Sequence, residues 1–120
     1  MNKTNAILIG WNRVVAGREK LAAELYQSLV TYLTKAQKDG KITGFLRTIL
    51  AAHGGDMNGF FFITGEPDRL QALRSDEGFY DMILEGNTLL LGWGVLDGYA
   101  NETSDKVLQD WGTKVLSKLK

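Results

Sequence analysis

His53 is the only histidine of this 120-residue chain, and its side chain is the one best suited to proton transfer near neutral pH. It follows the small residues Ala51 and Ala52, and Asp56 stands three residues later. Because a carboxylate can orient an imidazole for general-base catalysis, the sequence nominates His53 as a catalytic base. A loop histidine that bonds to a turn carbonyl is the simpler alternative. One histidine with scattered carboxylates falls short of the usual ligand sets, so no metal site is predicted.

Arg47 stands inside an apolar segment and shares one face of a predicted strand with Phe45 and Ile49. A guanidinium in that position could bind a carboxylate ligand. In the alternative interpretation, an arginine on an edge strand lays its stem along the sheet and keeps its head in water. Both interpretations place Arg47 on the edge of an apolar surface.

Trp93, Asp97 and Tyr80 complete the set of expected ligand-binding residues. Trp93 and Asp97 alternate on one face of a later strand, and Asp97 could pair with Arg13 or Arg47. Tyr80 offers a hydroxyl at the expected boundary between sheet and helices. Aromatic side chains with a few polar groups are typical of small-ligand pockets, although an ordinary core uses the same residue types.

Several kinds of site are excluded by residue content. The chain has no cysteine, which rules out disulfides and thiolate catalysis. The glycine-rich run over residues 54–59 is no phosphate loop, since no Gly-Lys-Ser/Thr follows it, and no serine nucleophile elbow is present. With 14 basic and 14 acidic residues and no basic stripe, a nucleic-acid partner is not expected.

Length and hydropathy predict one domain over residues 1–120. The apolar run that ends at Gly10 is too short to span a membrane and lacks a signal-peptide cleavage pattern. We therefore expect a cytoplasmic protein with no membrane partner.

The apolar periodicity predicts the element order β-α-β-β-α-β-α. In the first helix Leu21, Leu25, Leu29 and Leu33 recur every four residues, and Gly40 marks its end. Pro67 begins the next helical region, in which Ser75 can cap a second turn, and Gly86-Asn87 ends it. The predicted strands are 6–11, 45–52, 60–64 and 89–99, and a last helix follows Thr103.

This order is that of the ferredoxin-like split unit, an α+β fold written βαββαβ(α) with a four-stranded antiparallel sheet. Right-handed crossovers place both crossover helices on one face of the sheet. The strands are apolar on both faces, most clearly in 60–63 and 89–91, so the second face also needs a cover. The last helix could supply it, but one helix spans too little width, and sheet-to-sheet pairing in a homodimer is favoured.

Two segments carry a resemblance to a known superfamily. They are Gly65-Glu66-Pro67-Asp68 with the following Leu70, Leu73-Arg74-Ser75 and Phe79, and the closing Gly92-Trp93-Gly94-Val95-Leu96-Asp97-Gly98-Tyr99. Together with the element order, they resemble the dimeric α/β-barrel superfamily over nearly the whole chain. That superfamily includes cofactor-free monooxygenases of the antibiotic-biosynthesis type, muconolactone isomerases, haem chlorite dismutases and small proteins with no assigned activity. The shared motifs are structural, so the resemblance implies a fold and a dimer, in an uncharacterised branch, and transfers no catalytic residue.

The functional expectation is a homodimeric structural or small-ligand-binding module, with an apolar cleft between sheet and helices and no cofactor. The alternative is a cofactor-independent monooxygenase or isomerase acting on a small apolar or aromatic substrate. In that alternative His53 is the base, and Arg47 or Asp97 orients the substrate. Haem binding through His53 is a third and weaker hypothesis, since a loop histidine is an uncertain axial ligand.

Overall fold

A computed structural model describes residues 1–119 and contains one four-stranded antiparallel sheet, a two-stranded sheet and four α-helices within that range. The strands are β1 (Ala6–Trp11), β2 (Arg13–Val14), β3 (Gly44–Ile49), β4 (Gly59–Thr64), β5 (Leu90–Leu91) and β6 (Gly94–Gly98). The helices are α1 (Glu19–Lys38), α2 (Pro67–Arg74), α3 (Glu77–Leu89) and α4 (Glu102–Lys114), followed by a 3₁₀ turn over Leu116–Leu119. The main sheet has the order β3-β4-β1-β6, and β2 pairs with β5. The predicted ferredoxin-like α+β fold is confirmed.

The sheet separates its apolar side chains by strict alternation. In register, Ile7 lies opposite Ile63, and Ile9 lies opposite Phe61. These four side chains are at most 1% exposed and form the centre of the core beneath α1 and α3. The residues between them therefore point to the other face of the sheet.

Helix α1 covers the core with one apolar stripe. Its buried residues are Ala22, Leu25, Leu29, Leu33 and Ala36, which follow a spacing of three and four residues. Leu21 was expected in this stripe but is 47% exposed. A strict four-residue spacing drifts around a helix of 3.6 residues per turn, and Ala22 takes the inner position instead.

The predicted strand over 89–99 is wrong in its first half. Helix α3 passes through Gly86-Asn87 and continues to Leu89, and β5 and β6 are separated by a turn at Gly92, whose φ is +66°. Gly86 is not a helix end because the indole of Trp93 lies against it. A Cβ built at Gly86 would stand 2.2 Å from that ring.

Two smaller boundaries also differ from expectation. Strand β3 ends at Ile49 rather than residue 52, and a loop leads to β4. Ser75 ends α2, and Asp76 is the residue that precedes α3. The Asp76 carboxylate accepts a 2.6 Å hydrogen bond from the Tyr32 hydroxyl, which ties α3 to α1.

The second face of the sheet has no helix over it. We define this open face by Leu8, Leu46, Phe60, Phe62 and Leu96, each of which alternates with core residues in its strand. Leu46 and Leu96 are 57% and 54% exposed. Helix α4 does not cover it, and no residue of α4 is buried. Among residues 1–119, no helix combines the length and apolar content that a membrane span requires.

Candidate ligand cleft between the first helix and the sheet

A cleft of about 370 Å³ opens between α1, the end of β1 and the β5–β6 turn. This volume lies in the range of small-molecule sites. The lining residues are Trp11, Val14, Glu19, Ala22, Ala23, Leu25, Tyr26, Gln27, Leu29, Ile49, Phe61, Leu90 and Trp93. All but two of them, Glu19 and Gln27, are apolar or aromatic.

Four aromatic rings form the inner wall of the cleft. The Trp11 and Trp93 indoles are stacked with ring centroids 6.3 Å apart and an interplanar angle of 26°. The Tyr26 ring contacts the Trp11 ring edge-on, with centroids 6.3 Å apart. It also contacts the Phe61 ring in a tilted arrangement, with centroids 5.1 Å apart. Rings at these distances hold one another in fixed orientations.

Two glycines allow the indoles to lie where they do. A Cβ built at Gly59 would stand 2.4 Å from the Trp11 ring, and one at Gly86 would stand 2.2 Å from the Trp93 ring. Neither glycine has a positive φ, so close packing is the reason for both. The indole nitrogen of Trp93 is buried and has no hydrogen-bond partner within residues 1–119.

The mouth of the cleft is formed by exposed side chains. Glu19, Ala23 and Gln27 line it from one side of α1, and Ile49 lines it from the edge strand β3. Glu19 accepts a 3.2 Å hydrogen bond from the Gly17 backbone N–H. The polar groups therefore lie at the entrance, and the interior offers flat apolar surface for a planar molecule.

Trp93 is the predicted ligand-binding residue that lines this cleft. Asp97 lies on β6 and takes part in a different, polar depression of about 350 Å³ with Lys3, Gln71 and Arg74. Its partner is Arg74, whose Nη2 lies 2.9 Å from Oδ1, and not Arg13 or Arg47 as expected. The helix α2 brings Arg74 to that strand, a contact that spacing along the chain does not reveal.

Arg47 and Tyr80 lie outside the cleft lining. Arg47 is opposite Phe61 on the helix-covered face of β3, where it is exposed, and its guanidinium makes no hydrogen bond or ion pair with any other residue of the described range. Because β3 is an edge strand, this exposure agrees with the alternative interpretation, in which the guanidinium of Arg47 stays in water. Tyr80 is 53% exposed on α3. Their roles in ligand binding stay predictions.

His53 is exposed in the loop between β3 and β4 and is not among the residues that line the cleft. Its Nδ1 accepts the Gly55 backbone N–H at 3.1 Å, which leaves Nε2 to donate to the Met57 carbonyl at 2.8 Å. Both ring nitrogens are thus engaged within the loop. A catalytic role would require these bonds to break, and it stays a prediction.

The residues that sequence reasoning did not assign to a site come mainly from α1 and β4. In the sequence, Phe61 is typical of an ordinary core, Ala22 only widens the apolar stripe of the first helix, and Ala23 carries no signal of a site. One feature of the sequence could have indicated the cleft, namely two adjacent small residues in a helix otherwise rich in leucine. Small side chains leave space opposite an aromatic ring. In the described residues, no group of three or more metal-ligating side chains comes together.

Comparison with known proteins supports the fold alone. No family model matches the chain, and no curated protein matches its sequence. A dimeric protein of unknown function and ferredoxin-like fold from Bacteroides fragilis has a TM-score of 0.55 at 11% identity, over 79% of this chain and 95% of that one. PA3566 from Pseudomonas aeruginosa also has a TM-score of 0.55, at 14% identity over 84% and 98% of the two chains. A protein from Chloroflexus aurantiacus, assigned provisionally as an antibiotic biosynthesis monooxygenase, has a TM-score of 0.50 at 16% identity over 80% and 92%.

These structures and the geometry above define the class of protein. The chain is an α+β protein with the ferredoxin-like fold, and its similarity to these solved structures is one of fold.

Proposed function

We propose that this protein binds a small planar aromatic molecule in the cleft between α1 and the sheet. The observation that carries the proposal is the aromatic wall, in which two stacked indoles face a space of about 370 Å³. The apolar interior and the polar entrance of the cleft together suit a ligand that has a ring system and one polar end.

The cleft is better explained as a site than as loose packing. Interiors are normally packed to the density of organic crystals, with few voids larger than a water molecule. Here the opposing wall of α1 carries alanine at positions 22 and 23, so the space is left open by small residues. The rings around it are held by contacts with Gly59 and Gly86 and need no rearrangement to receive a flat ligand.

Naphthol is a suitable probe, and intrinsic tryptophan fluorescence is a suitable readout. In a Trp111→Phe background the two remaining tryptophans, Trp11 and Trp93, both line the cleft. We expect saturable quenching on titration with naphthol. Ala23→Phe places a ring in the mouth and should weaken binding by about tenfold or more, the equivalent of about 1.4 kcal/mol.

Ala72→Phe is the matched control, since Ala72 is exposed on α2 and does not line the cleft. It should bind naphthol as the parent does. Quenching that does not saturate, or equal affinity in the Ala23→Phe and Ala72→Phe variants, would contradict the proposal.

We also propose that two copies associate through their open faces. A face that presents Leu46, Phe60, Phe62 and Leu96 to water is unfavourable for a monomer, because each buried apolar side chain gains about 1.5–3 kcal/mol. The Bacteroides fragilis protein of similar fold is described as dimeric. Sedimentation equilibrium of the full chain at micromolar concentration should give twice the monomer mass, and a monomer at that concentration would reject the homodimer.

A further inference from the structure

Helix α4 and the turn after it carry an apolar stripe that residues 1–119 leave largely exposed. The stripe consists of Val107, Leu108, Trp111, Val115 and Leu119. Leu108 is 66% exposed, Trp111 is 49% exposed and Leu119 is 76% exposed. At about 100° per residue, the four positions from Val107 to Val115 fall within an arc of about 100°, and Asp105, Lys106, Asp110 and Lys114 all lie outside it. An amphipathic helix of this kind normally has a packing partner.

The N-terminal end of α4 is anchored by hydrogen bonds to the residues before β1. Asn5 receives the Ala100 backbone N–H at its Oδ1 (2.7 Å) and donates from Nδ2 to the Ala100 carbonyl (3.2 Å). Farther along the helix, Asn2 donates a 3.0 Å hydrogen bond to Asp110. The helix therefore has a defined direction relative to the sheet while its apolar stripe stays exposed.

The resulting molecule is too extended for a compact monomer. Its radius of gyration is 16.4 Å, and its longest dimension is 54 Å. A compact chain of this length has a radius of gyration of about 14 Å. We refer to residues 102–119, which comprise α4 and the 3₁₀ turn, as the C-terminal arm.

The area of the open face is too small to form a stable interface by itself, which indicates that the arm adds to the same interface. Four strands about 4.8 Å apart and about 20 Å long present about 400 Å². A stable interface needs about 800 Å² on each partner. A helix about 20 Å long covers a strip of about 200 Å², and each copy in a symmetric dimer gives one such strip and receives another beside its own paired sheet. Sheet pairing with two exchanged arms therefore reaches the area of a stable dimer, whereas sheet pairing alone reaches half.

We propose that the C-terminal arm of each chain packs its apolar stripe against the second copy, at the margin of that copy's open face. The twelve outward-pointing positions of the main sheet carry no charged side chain. An uncharged stripe and an uncharged face can be brought together without desolvating a charge. The inference rests on the homodimer proposed above and adds the element that completes it.

The first test compares dissociation constants of full-length variants by sedimentation. Leu108→Glu combined with Trp111→Glu places two carboxylates in the stripe and should raise the dimer dissociation constant by about a hundredfold or more, since central aromatic and aliphatic anchors dominate interfaces. The control pair Gln109→Glu and Thr113→Glu adds the same two charges at exposed positions outside the stripe and should leave the constant unchanged. Circular dichroism should be the same for all variants, because all the replaced residues are exposed within their own chain.

The second test locates the contact. Benzoylphenylalanine placed at Trp111 should form covalent dimers on illumination, and the same probe at Gln109 should not. A monomeric full chain would reject the homodimer, and the arm exchange with it. A dimer whose dissociation constant is unchanged by the Leu108→Glu, Trp111→Glu pair, or a probe at position 111 that reacts only within its own chain, would reject the arm exchange and leave the homodimer standing.

Discussion

At the residue scale, two glycines determine the shape of the cleft. Gly59 and Gly86 each lie beneath an indole, and a methyl group at either position would overlap the ring. The constraint is therefore steric, and at Gly59 it comes from a side chain distant in sequence, since Trp11 lies opposite Gly59 across the β1–β4 pair. Trp93 reaches Gly86 because the turn at Gly92 folds the chain back over α3.

Gly86→Ala should lower the free energy of unfolding by about 1–3 kcal/mol, the usual cost of adding a methyl group to a filled site. The matched control is Gly112→Ala in α4, where an added Cβ meets no atom within 4 Å. Alanine is the better helix former by about 1 kcal/mol, so this control should stabilise the protein. Urea denaturation of both variants measures the two effects. Equal changes in the free energy of unfolding of the two variants would show that the Trp93 indole leaves room for a methyl group at position 86.

Tyr32 and Asp76 predict a pH-dependent contribution to stability. Burial, and then the hydrogen bond to Asp76, raises the pKa of Tyr32 well above its usual value, and the hydrogen bond from Tyr32 lowers the pKa of Asp76. The carboxylate's contribution is present above its unfolded pKa and is lost as pH falls through the lowered folded pKa. The phenol's contribution is present below its unfolded pKa, near 10, and is lost as pH rises above it.

Tyr32→Phe should therefore cost most stability between about pH 5 and pH 9, with the difference from the parent narrowing on either side. Urea midpoints across the pH range measure it. Tyr80→Phe removes a hydroxyl from a 53% exposed residue and serves as control. A Tyr32→Phe effect that is constant with pH would contradict the proposed linkage.

At the element scale, α2 is joined to β6 by one side chain. Arg74 donates to Asp97 Oδ1 from Nε at 3.1 Å and from Nη2 at 2.9 Å, and it also donates to the Val95 carbonyl at 3.2 Å. The main-chain bond fixes the guanidinium against the strand. The ion pair is thus better ordered than a purely surface pair.

A double-mutant cycle of Arg74→Ala and Asp97→Ala should give a coupling of about 0.5–1 kcal/mol, at the upper end for partly exposed pairs. The coupling should fall in high salt because solvent reaches both groups. Lys3 and Asp68 form the control pair, since they are 3.5 Å apart with side chains 72% and 86% exposed, and their coupling should be near zero. Urea denaturation supplies the four free energies of each cycle. Equal coupling in the two cycles would contradict the role of the Val95 contact.

At the scale of the whole molecule, the open face and the arm are two apolar surfaces that residues 1–119 leave exposed. Helices α1 and α3 occupy one side of the sheet, as the crossover rule requires. Nothing of residues 1–119 occupies the other side in the same way. The proposed homodimer rests on this asymmetry.

Phe62→Lys should shift the full chain to monomer at micromolar concentration, because a lysine at the centre of the open face would be buried without a partner. Leu84→Lys is the control, since Leu84 is 50% exposed on α3, away from that face. Analytical ultracentrifugation measures the shift. If both variants keep the mass of the parent, the open face is not the interface.

Much of the fold could be predicted because its signals are local. The bounds of β1 were given by a run of apolar residues, and the start of α2 by Pro67. The break between β5 and β6 was missed because Leu90, Leu91 and Val95 are equally suited to a strand, whereas the chain turns at Gly92, whose φ is +66°. Of the predicted ligand-binding residues, Trp93 lines the cleft. Asp97 instead forms an ion pair with Arg74, which lies on helix α2.

The residues that could do chemistry were chosen by type, and types alone do not give distances. Periodicity and chain direction were enough to predict the order of the main elements and the four-stranded antiparallel sheet, and they led us to expect a cover on its second face. Tertiary contacts were needed to show that the aromatic cleft forms between α1 and Trp93 and that His53 bonds within its own loop. The reason is that a site depends on side chains far apart in sequence, and their meeting is set by packing against glycines and alanines that carry no chemical signal of their own.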